Sequence, residues 1–159
     1  MINEKSSAPD IDFLFLKISK FSNVVYEIMF IAILASIVIV AINPTKQLGD
    51  ARDAQRRSDV NTILNAVYQY AIDNNGTLPS GIPTSTAGAK YICKGDAASC
   101  SGGVDLRILT GAYLVNIPSD PQAPSSGTGT RYSIVQDTNG RITVAAPFGE
   151  QDSGISVTR

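Results

Sequence analysis

The hydrophobic positions of the chain form two patterns that meet at Pro44. From Ile28 to Ile42, fifteen consecutive residues carry no charge, and Ser36 is the one polar side chain among them. Extending the run back to Val24 gives nineteen residues and includes Glu27. Because a bilayer core requires about twenty helical residues, with a lower limit of about seventeen, the run predicts a membrane-spanning helix whose N-terminal edge contains Glu27.

Two other interpretations of this run are a buried core helix and a secretory signal peptide. A helix that is hydrophobic all round needs a protein that surrounds it, and the rest of the chain is polar and rich in glycine. A signal peptide has a shorter apolar region and a small-residue cleavage site, whereas the helical pattern here continues. The sequence therefore favours a retained membrane anchor.

The second pattern, after Pro44, is that of an amphipathic helix. Apolar residues recur at three- and four-residue spacing and predict one buried face: Val60, Ile63, Leu64, Val67, Tyr68, Ala71 and Ile72. Together the two patterns predict one long helix over residues 22–74. Because an interior proline removes a hydrogen bond and clashes with the preceding turn, we expect a kink at Asn43–Pro44. Asn75 and Gly76 tolerate the left-handed conformation and should end the helix.

The C-terminal half has the pattern of a small antiparallel sheet. In the segment RYSIVQDTNGRITVAAP, two β-prone runs flank Asp137–Gly140, and Ile142 and Val144 alternate with polar residues. This pattern predicts a hairpin, and GISVTR at the end predicts one more strand. A short helix is expected in VDLRILTG, and residues 76–104 are interpreted as loop. The fold class predicted is α+β.

The chemical groups of the chain argue against catalysis. The 159 residues carry a net charge of −1 and contain no histidine, and we find no phosphate-binding glycine loop or carboxylate pair. Four aspartates of the second half do not form a recognisable calcium loop: Asp96, Asp105, Asp120 and Asp137. We therefore expect no enzyme activity, no catalytic residue, no cofactor and no metal. Asn75–Thr77 matches a glycosylation sequence and is interpreted as the helix stop.

The two cysteines, Cys93 and Cys100, lie in a loop of Gly, Ser, Ala and Asp. Their spacing suggests a local disulfide and hence an oxidising compartment. A metal site would need a third and a fourth soft ligand nearby. An oxidising compartment would place the C-terminal part outside the cytoplasm. The basic residues indicate the opposite orientation, because more of them follow the span than precede it, and the side of a span with more basic residues is usually cytoplasmic. They are Lys17 and Lys20 before the span, and Lys46, Arg52, Arg56 and Arg57 after it.

The four basic residues after the span have two interpretations. They could contact DNA phosphates, or they could form a solvated or intersubunit face. Asp53 and Arg57 have the spacing of an i,i+4 ion pair, and Arg56 and Asp59 that of an i,i+3 pair. No aromatic stacking platform is interleaved with them, so we expect the solvated or intersubunit face and no nucleic-acid partner.

The chain resembles the type IV pilin and type II secretion pseudopilin superfamily over roughly residues 19–148. The resemblance lies in ILASIVIVAINPTKQLGDARDAQRRSDVNTILNAVYQYAIDNNGTLP, in YLVNIPSDP and in the hairpin YSIVQDTNGRITVAAP. It implies an anchor in the inner membrane that later forms the core of a helical filament of identical copies, with the head outside the cytoplasm. Motility, secretion, adhesion and DNA uptake are all functions of such filaments.

The resemblance divides the chain into four parts and implies partners. The parts are a leader or cytoplasmic segment (1–21), a transmembrane and filament-core helix (22–43), its amphipathic continuation (44–75) and a head with the cysteine loop and the sheet (76–159). The partners are other copies of the chain, inner-membrane lipid, a prepilin peptidase and an assembly platform. The implied orientation agrees with the cysteine pair rather than with the count of basic residues.

The N-terminal processing motif departs from the family pattern. Family members are cut after a glycine, and a glutamate lies fifth in the mature chain. An ungapped alignment puts Ile18 in the glycine position, Ser19 at the mature start and Asn23 in the glutamate position. Alternatively Glu27 is that glutamate and the cut follows Ser22, so that Asn23 comes first. Neither register supplies the glycine, so the other alternative is an uncleaved, non-polymerising anchor.

The glutamate has a defined role in the family. It neutralises the new N-terminal amine of a neighbouring subunit during assembly. The resemblance thus implies an assembly role for Glu27 or for Asn23, and the alternative for Glu27 is an interfacial carboxylate that reaches headgroup water.

Overall fold

The structure is a computed structural model that describes residues 11–159, without the side chains of residues 11–16, 18, 19, 42 and 86. Residues 1–10 of the expected leader, and the side chains of the processing candidates Ile18 and Ser19, lie outside this description. The chain divides into two compact units, one up to Pro44 and one from Thr45. Each unit is described below by itself.

The first unit contains helix α1, Ile11–Ile42. Its segment Lys20–Ala41 is 22 residues long, is apolar enough to cross a membrane, and has no part buried within the protein. The core-helix interpretation is therefore wrong. The chain is already helical at Ile11, well before the expected start near residue 22, and no glycine or proline between residues 11 and 42 interrupts the helix.

The interruption of the helix lies at Asn43. This residue has a positive φ of 45°, a conformation that asparagine adopts more readily than most residues. Helix α2, Pro44–Asp73, begins at the next residue. Pro44 is thus the first residue of a second helix rather than an interior residue of one helix. Proline suits this position because its missing N–H would have no partner in the first turn.

Helix α2 packs its apolar face on the sheet in the second unit. Val60, Ile63 and Leu64 are fully buried in the same core cluster as Ile92 and Ile134 of the sheet. The expected stripe is therefore found, with one exception: Ile72 is 77% exposed. Ile72 lies in the last turn of α2 and directly follows the buried Ala71 in the sequence, so it points to a different side of the helix. Asn75 (φ 54°) and Gly76 (φ 83°) end the helix in the left-handed conformation.

The sheet has four antiparallel strands in the order β1-β2-β3-β4. They are β1 Lys90–Cys93, β2 Gly129–Gln136, β3 Ile142–Ala145 and β4 Ser156–Thr158. The expected hairpin is β2–β3, with Gln136 opposite Ile142. Strand β1 lies in the segment that we interpreted as loop. It pairs with β2 through Lys90 and Ile134, forty-four positions apart in the sequence, so no local signal marks it.

Two short elements and the disulfide complete the head. The 3₁₀ helices are Ser85–Ala87 and Arg107–Leu109, and the second lies within the expected short helix. Cys93 and Cys100 form a disulfide with their Cα atoms 5.7 Å apart. It closes the loop that follows β1, as predicted. The structure is an α+β fold with an apolar first helix.

Opening this disulfide should lower the free energy of unfolding of the head by about 2.5 kcal/mol, because a closed loop of this length restricts the unfolded chain. The measurement is denaturant unfolding followed by circular dichroism, with and without reductant. The double variant Cys93→Ala, Cys100→Ala is the control, because reductant has nothing to act on there. A wild-type midpoint that does not move on reduction would contradict the prediction.

Candidate functional site

The exposed surface of α1 is the first candidate site. Its large side chains from Phe21 to Val40 are exposed, with Phe30 at 70% and Val40 at 82%. An apolar surface of this extent is typical of a region that lipid or another protein covers. The Ser36 hydroxyl donates to the Ile33 carbonyl at 2.8 Å, which satisfies it inside the helix, as a hydrocarbon environment requires.

Glu27 is the one charged residue between Lys20 and Lys46. It lies on α1 one helical turn after Asn23, so the two side chains share a face, and both are exposed. Among the described residues no ion pair includes Glu27. A charge in a span is costly and usually functional. The expected assembly role of Glu27 or of Asn23 stays a prediction.

The second candidate site is a buried ion cluster centred on Arg56. This side chain is 0% exposed. Its Nε and Nη2 donate to the two carboxylate oxygens of Asp120 at 2.7 and 3.2 Å, and Nη1 donates to Asp53 at 2.7 Å. Further bonds run to Glu150 and to the Gln122 side chain, both at 3.1 Å. An arginine has five N–H donors, and these five bonds match that number.

Asp53 connects the same helix to the loop between β3 and β4. Its carboxylate accepts backbone N–H groups of Glu150, Gln151 and Asp152 at 2.7–3.2 Å. Burial raises the pKa of Asp53, but these donors and the Arg56 guanidinium outweigh burial and hold the pKa well below its usual range. The hydrogen bonds that Arg56 donates to Asp120 raise the pKa of Arg56. Asp53 and Arg56 are therefore both charged near neutral pH.

Three segments that are distant in sequence meet at this cluster. Helix α2 supplies Asp53 and Arg56, the loop before β2 supplies Asp120, and the loop between β3 and β4 supplies Glu150. In that second loop, a Cβ at Gly149 would lie 1.8 Å from the Asp152 carbonyl oxygen, so only glycine permits the tight turn that presents its N–H groups to α2.

Further polar contacts extend the cluster along α2. Arg52 donates to both carboxylate oxygens of Glu150 at 2.6 and 2.5 Å. The buried Asp59 accepts the hydroxyl of Tyr132 at 2.7 Å. Burial, then this hydrogen bond, raises the pKa of Tyr132. Asp59 also accepts from Gln55 at 2.7 Å, so its buried carboxylate has two donors.

Arg56 therefore does not belong to the expected basic face of Lys46, Arg52, Arg56 and Arg57. Arg56 is inside the protein, and Arg57 bonds Asp152 at 2.9 Å rather than Asp53. Arg52 contacts Glu150, and Lys46 lies 4.0 Å from Asp50. The carboxylates of Asp120, Glu150 and Asp152 come from loops more than sixty residues away, which helix spacing alone does not reveal.

A signal for this burial was nevertheless present in the sequence. Continuing the apolar stripe backwards from Val60 by four, three and four residues gives Arg56, Asp53 and Gly49. All three are buried in the structure. Charged residues on the extension of an apolar stripe indicate a paired charge inside the protein.

The remaining side chains bear on whether the chain could hold a metal ion, and a further pocket lies in the head. Within the part of the chain that the structure describes, no three or more His, Cys, Asp or Glu residues are placed to hold a metal ion. An open pocket of about 470 Å³ lies beside the disulfide, with Tyr91, Arg131 and Phe148 in its wall. The Arg131 guanidinium lies 3.9 Å above the Phe148 ring. The wall contains no carboxylate and no free thiol.

No known protein family, curated protein or solved structure matches the chain.

Replacing Arg56 by alanine should lower the free energy of unfolding of the head by about 3–5 kcal/mol, because buried carboxylates would lose their cation. Arg57→Ala is the matched control on the next position of α2. Its pair with Asp152 is about half exposed on both sides, and such pairs contribute less than about 1 kcal/mol. Denaturant unfolding of both variants in detergent measures the difference, and equal losses would contradict the buried cluster.

The head should lose stability in acid as the pH falls below about 4. The pKa of Asp53 is depressed in the folded protein, so its contribution is present above the unfolded-state pKa and is lost on protonation. Asp53→Asn should be less stable at neutral pH and should show a flatter acid slope in thermal unfolding. The exposed Asp50→Asn should keep the wild-type slope. An unchanged slope in Asp53→Asn would contradict the assignment.

Proposed function

We propose that the chain is a structural subunit of a type IV pilus or a type II secretion pseudopilus, anchored in the inner membrane by α1. The observation that carries this proposal is that the chain combines an apolar helical segment of 22 residues, none of it buried, with a head that has its own core. No metal, cofactor or catalytic group is involved.

The head does not use α1 for its stability. The buried apolar residues of the core belong to α2, the sheet and the segments after α2. The surface of α1 is therefore available for burial outside the chain. In a bilayer, lipid covers it, and its length matches the hydrocarbon thickness.

In a filament, identical helices would replace the lipid. Helix association in a membrane depends on close packing, which small residues permit. Ala32 and Ser36 have the small-xxx-small spacing, and Ala35 and Ala41 are further small residues of α1. Helices of neighbouring subunits would pack through these positions.

Glu27 would then be neutralised by a positive group of a neighbouring copy. The resemblance to pilins supplies this group as the N-terminal amine created by cleavage after Ile18 or after Ser22. The head would lie outside the cytoplasm, where the Cys93–Cys100 disulfide is stable.

One alternative function has a specific observation in its favour. Neither Ile18 nor Ser22 is glycine, so the chain lacks the residue after which pilins are cut. An uncleaved subunit would have no new amine to meet Glu27. It would remain a single-pass membrane protein with the same head and would not polymerise. A DNA-binding minor pilin has less support, because Arg56 is buried and Arg52 contacts Glu150.

Mass spectrometry of the native N-terminus tests the proposal against the alternative. We expect a chain that begins at Ser19 or Asn23, recovered from sheared surface filaments or from a sedimenting periplasmic fraction. Glu27→Ala should remain in the membrane and lose incorporation into filaments. Ser36→Ala, which keeps a small residue on α1, should incorporate normally.

A chain that begins at Met1 and occurs only in the membrane fraction would establish the non-polymerising anchor. Normal incorporation of Glu27→Ala would contradict an assembly role of this carboxylate. The filament would then depend on helix packing without a contribution from Glu27.

A further inference from the structure

The turn that ends α2 presents a possible attachment site for sugar. Only Asn43 and Asn75 are followed two positions later by serine or threonine. Pro44 lies between Asn43 and Thr45, and proline at this position prevents N-glycosylation. Asn75-Gly76-Thr77 is thus the one acceptor sequence of the chain. We propose that Asn75 carries an N-linked oligosaccharide.

The geometry of the turn leaves both reactive side chains accessible. Asn75 and Thr77 are exposed. No hydrogen bond within the described part of the chain uses the side-chain amide of Asn75 or the hydroxyl of Thr77. The backbone is nevertheless fixed, since Gly76 N–H donates to Ala71 at 2.7 Å and Thr77 N–H to Asn74 at 3.0 Å. The side-chain amide of the neighbouring Asn74 is already used in a hydrogen bond, because it donates to the Tyr70 carbonyl at 2.8 Å.

The surface beside Asn75 leaves room for the first sugars. An open groove of about 450 Å³ includes Gly76 in its wall, and no atom outside residues 75–77 lies within 4 Å of a Cβ built on Gly76. The same wall contains Ile72, which is 77% exposed, and Leu78. Sugars have apolar C–H faces as well as hydroxyl groups, so a glycan at Asn75 would cover this exposed apolar surface. Glycans at such sites are bulky and solubilising.

The modification requires a lipid-pyrophosphate-linked oligosaccharide as donor and a transferring enzyme. The side-chain Nδ2 of Asn75 forms a bond to the anomeric carbon, and the bond from that carbon to the pyrophosphate oxygen breaks. The amide loses one proton to a base of the enzyme, and the lipid pyrophosphate leaves. No electrons are transferred. The reaction takes place outside the cytoplasm, so the inference depends on the placement of the head in the proposed function.

Tryptic mass spectrometry of the native full-length chain tests the inference. The peptide of residues 58–90 contains Asn75, and the peptide of residues 132–141 contains Asn139. Asn139 is a matched control because it is exposed and precedes a glycine, but Arg141 replaces the threonine. We expect sugar mass on Asn75, with sugar ions on fragmentation, and none on Asn139. Conversion to aspartate alone does not count, because both Asn-Gly sequences can deamidate.

Two variants separate glycosylation from the role of Asn75 in ending the helix. Thr77→Val removes the acceptor hydroxyl and keeps Asn75, so the added mass should be lost. Thr77→Ser keeps the acceptor sequence and should keep the added mass. Added mass that persists in Thr77→Val, or an unmodified peptide 58–90 from the native chain, would overturn the inference.

The same digest distinguishes a failure of the glycosylation inference from a failure of the proposed placement of the head outside the cytoplasm. Peptides 91–94 and 95–107 stay linked if Cys93 and Cys100 are oxidised. Linked peptides with unmodified Asn75 would overturn glycosylation and leave the placement intact. Free thiols with unmodified Asn75 would overturn both.

Discussion

The head depends on one constraint, which is that the guanidinium of Arg56 must be surrounded by acceptors because it is excluded from water. A buried charge without partners is strongly destabilising, so the fold is stable only when Asp53, Asp120 and Glu150 all reach it. These carboxylates come from α2 and from two loops. Meeting the requirement therefore fixes both loops on the helix and positions β4 beside β3. An apolar core could supply similar burial, but it would not specify which loop residue lies against which turn of α2.

Helix α1, unlike the head, has an apolar surface that the chain itself does not bury. Its large side chains are exposed over the whole described span, and the core of the head is complete without them. Burying this apolar surface is favourable by roughly 25 cal/mol per Å² removed from water. The chain alone does not provide that burial. Burial of α1 therefore requires a partner outside the chain, which under the proposed function is lipid or the helices of identical copies, whereas the head is stabilised by its own contacts.

The features that sequence could predict are those with local causes. The apolar run, the interruption at Asn43–Pro44, the β2–β3 hairpin and the cysteine loop each depend on residues close together in the chain. Strand β1 was missed because its partner Ile134 is distant. The partners of Arg56 were missed for the same reason, although its place on the stripe of Val60 indicated burial. Pro44 shows a further limit, because the same residue can kink a helix or begin one, and only the backbone conformation of Asn43 distinguishes the two.

The charged side chains Arg56 and Glu27 differ in whether they need a partner from another molecule. The bonds of Arg56 satisfy its five donors within the chain, so its charge requires no partner molecule. Glu27 lies in an apolar span and has no ion pair among the described residues. Moving its charged carboxylate away from water is costly unless a cation accompanies it. At the membrane surface, water and headgroups can fill this need. In the interior of a filament a neighbouring copy must supply the cation, so under the proposed function the charge of Glu27 would make assembly depend on how the N-terminus is processed.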